Sequence, residues 1–473
     1  MTELNARAFK KKIAGALKDK NLQEALSKVE KNFIERRASA LEPLPEFEDI
    51  RNKAVEIKNH TLDHLDLYLA HFASKVEEHG GVVHWCDNAE QAREAILNIC
   101  RAHNAKSVTK GKSMVSEEIA LNAALQDAGI QPVETDLGEY IIQLADEPPS
   151  HIIAPVVHKT KAQVETIFRE HHHHLDEERD LSDGESLVGE ARTILREKYF
   201  QADVGITGAN FLIAETGSTT IVTNEGNGDL TQALPDVHVV VASIEKVVPT
   251  LEDATTLMRL LARSATGQDM SVYTTFSTGP KRKTDKDGPS AFHVVLLDNG
   301  RSRILGSKYR DILRCIRCAA CMNHCPVYAA VGGHAYGSTY MGPVGSVLTP
   351  AIWGIDSSPD LPNASTFCGR CAEVCPMKIP LPDLMRDWRN EASETEQNTR
   401  LERLAINTWS YIAKRPALYR RLMSIACFFG NHLAGSLGHF RELPGLKAWT
   451  RSRVLPAPAR ESFMQQYARR QRS

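Results

Sequence analysis

Between residues 47 and 78 apolar side chains recur at helical spacing. Ile50, Ala54 and Ile57 fall at i, i+4 and i+7, and Leu65, Leu69, Phe72 and Val76 continue a similar stripe. The stretch through His79 therefore predicts helix with one buried face, and Gly80 and Gly81 stop it. GVVHW follows as a strand. NAEQAREAILNICRAHNA comes next, an amphipathic helix with Ala92, Ile96 and Ile99 on one face. From there two periods alternate. Strand-like runs at KSVTKG, SHIIAPVVH, ADVGITGA, STTIVTNEG, VHVVVASIEKVV and AFHVVLLD are separated by helix-length segments such as VSEEIALNAALQDAG and TLEDATTLMRLLARSATG. This alternation predicts an α/β domain over residues 66–300, with a largely parallel sheet between helices, behind an N-terminal helical segment of residues 1–65.

The pattern changes near residue 301. Four cysteines fall within CIRCAACMNHCP, residues 315–326, and three more within FCGRCAEVCPMKIP. Between the two runs lies the glycine-rich link VGGHAYGSTYMGPVGSVLTP, whose glycines are expected to bring backbone N–H groups close to bound sulfur. Residues 301–385 are therefore read as a cluster-binding domain. Residues 386–473 are read as a basic helical region whose Arg415, Arg420, Arg421, Arg469 and Arg470 either dock an acidic partner or solubilise the tail.

Cys315, Cys318, Cys321 and Cys325 before Pro326 spell CxxCxxCxxxCP, the spacing in which three thiolates hold one cubane and the fourth crosses to another. The crossing requires a second run, and Cys368, Cys371 and Cys375 before Pro376 supply it. The implied partition is Cys315, Cys318, Cys321 and Cys375 on one cluster, and Cys325, Cys368 and Cys371 on the other. The position of a fourth ligand in the second run is Ser365. The second site is thus either a three-iron cluster or a [4Fe-4S] cluster completed by Ser365, water, a partner or a substrate. Both are read as [4Fe-4S]. Paired structural zinc sites are the alternative, but tetrahedral knuckles have no use for the trailing Cys-Pro. Cys86, Cys100 and Cys427 stand singly in apolar surroundings and are read as packing residues.

Composition narrows the setting. The 473 residues, 42% hydrophobic and 25% charged, suffice for more than one core, and the formal charge of −2 gives no bulk electrostatic reason to bind nucleic acid. The charged first thirty residues contain no apolar signal core, and no apolar run approaches the roughly 20 residues of a membrane span. A cytoplasmic location, where thiols stay reduced, is expected. His171 to His174 and the loop GPKRKTDKDGPS are read as exposed polar surface. There is no GxGxxG fingerprint opening a helix and no GxxxxGK[ST], so neither a Rossmann-bound nicotinamide or flavin nor nucleotide hydrolysis is expected.

Within the α/β domain, GITGANFLIAETGSTTIV places Gly208, Glu215, Thr216, Gly217 and Ser218 around a turn between two strands. Glu215 is a candidate base. Thr216 and Ser218 are candidate carboxylate holders, with charge from Lys110 and Lys112. A tight polar turn with a surface glutamate explains the same residues.

The segment ADVGITGANFLIAETGSTTIVTNEGNGDL, followed by CIRCAACMNHCP, CGRCAEVCP and WTRSRVLPAPARESF, resembles the LutB family of lactate-utilization iron–sulfur proteins along essentially the whole chain. The resemblance implies a LUD domain similar to the sugar-phosphate isomerase and CoA-transferase sheet fold, then an α-helical ferredoxin-type domain and a helical tail. It also implies an electron-transfer subunit of a cytoplasmic multi-subunit system oxidising L-lactate, a small 2-hydroxy acid, to pyruvate. The partners implied are a cysteine-rich iron–sulfur subunit and a second LUD-domain subunit. The rival expectations are a transferase- or isomerase-like LUD catalyst with redox-sensing or structural clusters, and a non-catalytic scaffold.

Overall fold

The computed structural model describes residues 5–111, 113–395, 400–440, 450 and 453–471. The chain divides into two compact units, Met1–Ala392 and Ser393–Ser473. In the first unit the strands are β1 (Val82–Cys86), β2 (Ser107–Gly111), β3 (Gln131–Glu134), β4 (Val204–Thr207) and β5 (Phe211–Ile213). They continue as β6 (Ser218–Thr223), β7 (Val237–Ser243), β8 (Val247–Val248), β9 (Tyr273–Ser277) and β10 (Ala291–Leu297).

Six of them pair in the order β1-β10-β7-β4-β2-β3, every pair parallel. Strand β7 is buried along its whole length, as a strand covered on both faces must be. Successive residues along it serve opposite layers. Val239 and Val241 pack with Ile96, Ile99 and Leu125, whereas Val240 and Ala242 pack with Leu69, Phe72 and Val76. The stripe seen in the sequence is thus the face that covers the sheet, carried by Leu65–Glu78 after a break at His64 from the helix Phe47–Asp63. A smaller mixed sheet, β8-β5-β6-β9, lies beside it. The N-terminal helices share one core with the cysteine segment: Phe9, Leu26, Phe47 and Ile50 belong with Tyr328, Tyr336, Val347 and Trp388.

Two local expectations are corrected. SHIIAPVVH is not a strand but an irregular loop. Its polar groups are consumed elsewhere: His151 Nδ1 accepts from the N–H groups of Ile153 and Ala154, the Ser150 carbonyl accepts from Tyr328 Oη, and Pro155 has no N–H to give. VSEEIALNAALQDAG is two short helices, Met114–Glu118 and Leu121–Asp127, parted at Ala120 with φ 51°. In the glycine-rich link, two glycines meet other segments of the first unit. A side chain at Gly333 would meet the Ser150 carbonyl, and one at Gly337 the Asn5 backbone, so these glycines permit close approach to other segments. In the first unit two strands were not anticipated: β3, short and containing Pro132, and β9, polar and only half buried.

A buried ionic network joins the sheet to the cysteine segment. Arg301 is fully buried and grips Glu118 with two hydrogen bonds, 2.9 and 2.7 Å. It also pairs with Glu245 at 2.8 Å. Glu245, just beyond β7, pairs in turn with Arg317 at 3.1 Å, and Asn299 and Tyr340 both donate to Glu118. Burial opposes ionisation of Glu245, but Arg301 and Arg317 outweigh it and bring its carboxyl down to about 2.

The second unit has the helices Arg400–Ala413, Pro416–Ala434 and Phe463–Arg470. Leu404, Trp409, Ile425, Phe429 and Leu433 there are each more than half exposed.

Removing one member of a buried ionic network strands its partners. Arg301→Ala should lower the unfolding free energy by about 3–5 kcal/mol in urea denaturation of anaerobically prepared protein. A loss below about 1 kcal/mol, the scale of a surface pair, would contradict the network's role.

Candidate metal centre

The first cysteine run begins at the end of a 3-10 turn, Arg310–Arg314, and curls back on itself. Arg317 and Ala319, on either side of Cys318, both take left-handed conformations with φ 61°. That costs energy for residues other than glycine, and what it achieves is to turn backbone N–H groups inward. The Arg317 N–H donates to Cys315 Sγ at 3.4 Å. The N–H groups of Ala320, Val327 and Tyr328, Ala372, and Met377 and Ile379 serve Cys318, Cys325, Cys371 and Cys375 respectively. N–H donation to sulfur is the outer-shell arrangement that stabilises metal-bound thiolate.

The seven sulfurs fall into two groups. Cys315, Cys318, Cys321 and Cys375 line one apolar pocket, walled by Ile316, Val344, Met377 and Ile379. Cys325, Cys368 and Cys371 lie within electrostatic reach of one another. Burial pushes the Cys318 and Cys321 thiols well up, Cys371 to about 12 and Cys375 to about 11, with neighbouring cysteines adding to the shift at each. Burial keeps these thiols protonated near neutral pH, while the N–H donors around them suit the thiolate that metal binding would leave, so these residues fit iron–sulfur clusters. Cys368 is exposed, unlike the other members of its group.

Cations surround the first group. Arg51 donates to the Cys375 carbonyl at 2.6 Å and Arg37 to the Val374 carbonyl at 3.1 Å. Lys58 donates to the carbonyls of Glu245 and Val247. Arg317 lies 4.9 Å over the Tyr340 ring. The Cys315 sulfur acts electrostatically on Arg317, Lys58 and Lys246.

A 420 Å³ cavity borders this group. Met114, Gly208, Asn210, Asn227, Lys246, Arg317 and Tyr340 are among its walls, and it opens where β4 and β7 end, the edge of a parallel sheet at which ligands collect. Burial brings Lys246 down to about 8, with Arg317 contributing. No hydrogen bond or ion pair of its ammonium to another described residue is formed. Arg317 lies between this cavity and the Cys315–Cys318 pocket, lining both. Neither Arg317 nor Lys246 was anticipated from the sequence. The one available signal was the arginine inside the CIRC motif.

The turn candidates are differently placed. Glu215 is exposed, and its carboxylate accepts from the Leu251 N–H at 3.2 Å, capping the helix Leu251–Thr266. Thr216 donates to Ser218 at 2.8 Å, and Ser218 bonds Thr278 at 2.8 Å. Lys110 is buried between Glu117 at 2.6 Å and Glu134 at 2.7 Å, so its charge is already matched and cannot serve an anion at the turn. None of these four lines the 420 Å³ cavity. Lys112 lies outside the described residues. Among the four histidines, His172 is buried against Glu190 at 2.6 Å and Tyr140 at 2.9 Å, and the others are exposed. Cys86, Cys100 and Cys427 are buried, as packing residues should be.

Three family models match: the LUD domain over residues 69–297, a 4Fe-4S dicluster domain over 311–379, and the C-terminal domain of lactate utilisation protein B over 390–472. Lactate utilization protein B of Bacillus velezensis is 43% identical over 98% of this chain and 96% of its own. The Geobacillus kaustophilus protein of that name is 43% identical over 98% and 97%, and that of Lysinibacillus sphaericus 44% over 96% and 95%. A crystal structure of a DUF162 family protein from Deinococcus radiodurans covers 49% of this chain and 98% of its own, at 14% identity and a TM-score of 0.28, too slight a likeness to compare folds.

Because Glu215 caps a helix from an exposed turn, Glu215→Ala should cost about 1 kcal/mol or less and leave iron content unchanged by colorimetric assay. Loss of iron would show that the turn reaches the clusters.

Proposed function

The chain belongs to the lactate utilization protein B family, and from that premise we propose that it is an iron–sulfur electron-transfer subunit of a multi-subunit system that oxidises L-lactate to pyruvate. The observation that carries the reading is the placement of the two thiol groups. One borders the cavity at the end of the parallel sheet, and the other reaches the surface at Cys368. On this reading Cys315, Cys318, Cys321 and Cys375 hold one [4Fe-4S] cluster, and Cys325, Cys368 and Cys371 hold a second. When bound, the clusters supply one-electron acceptors and donors.

The protein's own residues set the conditions for that traffic. Arg37, Arg51, Lys58 and Arg317 offset the negative charge that four thiolates bring into an apolar pocket. Lys246, unpaired and facing the cavity, suits the carboxylate of a small 2-hydroxy acid, and the Arg317 side chain closes the wall between that acid and the cysteines. The sequence has no GxGxxG fingerprint opening a helix, and on this reading hydride removal is assigned to a partner subunit. Of the described residues, no helix is long and apolar enough to cross a membrane. The reading keeps the protein in the cytoplasm, with the exposed apolar and basic side chains of the second unit meeting the cysteine-rich and second LUD-domain subunits. The parallel sheet is read as that of the sugar-phosphate isomerase and CoA-transferase group. Under the rival reading, the cavity catalyses transfer or isomerisation and the clusters only brace it.

Two measurements test this. Cys318→Ala and Cys371→Ala should each lose about half of the iron, and full iron in Cys318→Ala would refute the ligand partition. L-lactate added anaerobically with the partner subunits should bleach the visible absorbance of the clusters. Colour that persists under those conditions favours the rival.

A further inference from the structure

We propose that the Ser365 hydroxyl is the fourth protein ligand of the second cluster, an inference that rests on the two-cluster reading above. The two runs correspond position by position. Ser365 stands where Cys315 stands, and Cys368, Cys371 and Cys375 stand where Cys318, Cys321 and Cys325 stand.

The backbone repeats with them. Arg317 and Ala319 have φ 61° each, and their counterparts Phe367 and Gly369 have φ 55° and 82°. A left-handed phenylalanine is costly, of order 1–3 kcal/mol, and a serine turn by itself has no need of it. In the first run the same pair of left-handed residues curls the chain around the cysteine pocket. A short helix follows in each case, Ala320–Asn323 and Arg370–Glu373. The donor contact repeats as well. The Arg317 N–H donates to Cys315 Sγ at 3.4 Å, and the Phe367 N–H donates to Ser365 Oγ at 3.0 Å, the shorter distance being the one an oxygen acceptor takes. Within its turn the serine oxygen thus takes the same acceptor role as the cysteine sulfur.

Arg389 secures the loop. It donates to the carbonyls of Pro362 at 2.9 Å and Ser365 at 3.5 Å, and its guanidinium lies 4.1 Å over the Phe367 ring.

Ligation forms an iron–oxygen bond as the hydroxyl proton leaves to water, and no electrons change hands. Hard oxygen suits iron in a sulfide cluster less well than thiolate does. With Ser365 half-buried and Cys368 exposed, this is the corner that loses iron first.

The test uses the full-length protein purified anaerobically, with iron and acid-labile sulfide counted and EPR recorded before and after brief exposure to air. The wild type should hold about eight iron atoms. Ser365→Ala should hold about seven and show, before any air, the near-isotropic signal of an oxidised three-iron cluster. Ser365→Cys should hold about eight and resist loss in air. Ser365→Ala with the iron and spectra of the wild type would overturn the assignment, as would a wild type that already holds about seven. A wild type with about four would overturn the two-cluster reading itself.

Discussion

Arg301 holds two carboxylates, Glu118 and Glu245, where water does not reach, and much of the first unit is arranged to satisfy that one cation. A guanidinium stays charged even when buried, so its neutrality must come from partners brought to it. Glu118 ends a short helix beside the sheet, Glu245 follows β7, and Arg301 opens the segment that leads to the cysteines. Such networks contribute little net stability relative to an apolar core but are severe when incomplete. Their value here is positional. Through Glu245 the network reaches Arg317, which stands between Cys315 and Cys318 and forms a wall of the cavity.

The same constraint explains how the chemistry is distributed. The cysteine pocket is apolar and would resist the charge of several thiolates, yet cations from the N-terminal helices, from the turn after β7 and from the CIRC motif converge on it. The first group is thus held inside, close to a cavity fit for a small anion, and the second opens towards solvent. A one-electron carrier needs both a protected entrance and an accessible exit.

The parallel sheet and the cysteine groups were legible in the sequence because their signals are local. β7 reads as an unbroken apolar run since both its faces are covered, and the cysteine spacing fixes which sulfurs can share a pocket. What escaped depends on distant partners. The charge of Lys110 is matched by Glu117 and Glu134, an arrangement that exists only once the chain is folded. SHIIAPVVH has the apolar content of a strand, but its hydrogen bonds go to Tyr328 and to its own turn. Lys246 and Arg317 are 71 residues apart in sequence and share a cavity wall because Arg317 pairs with Glu245, the neighbour of Lys246. The glycines of the link answer to Ser150 and Asn5, neighbours that no local pattern reveals.

On the proposed reading, seven thiols hold two neighbouring iron–sulfur clusters, and EPR of the anaerobic, dithionite-reduced protein decides the matter. Two reduced four-iron clusters close enough to broaden each other's signals are the predicted result. A colourless, EPR-silent protein carrying zinc would contradict it.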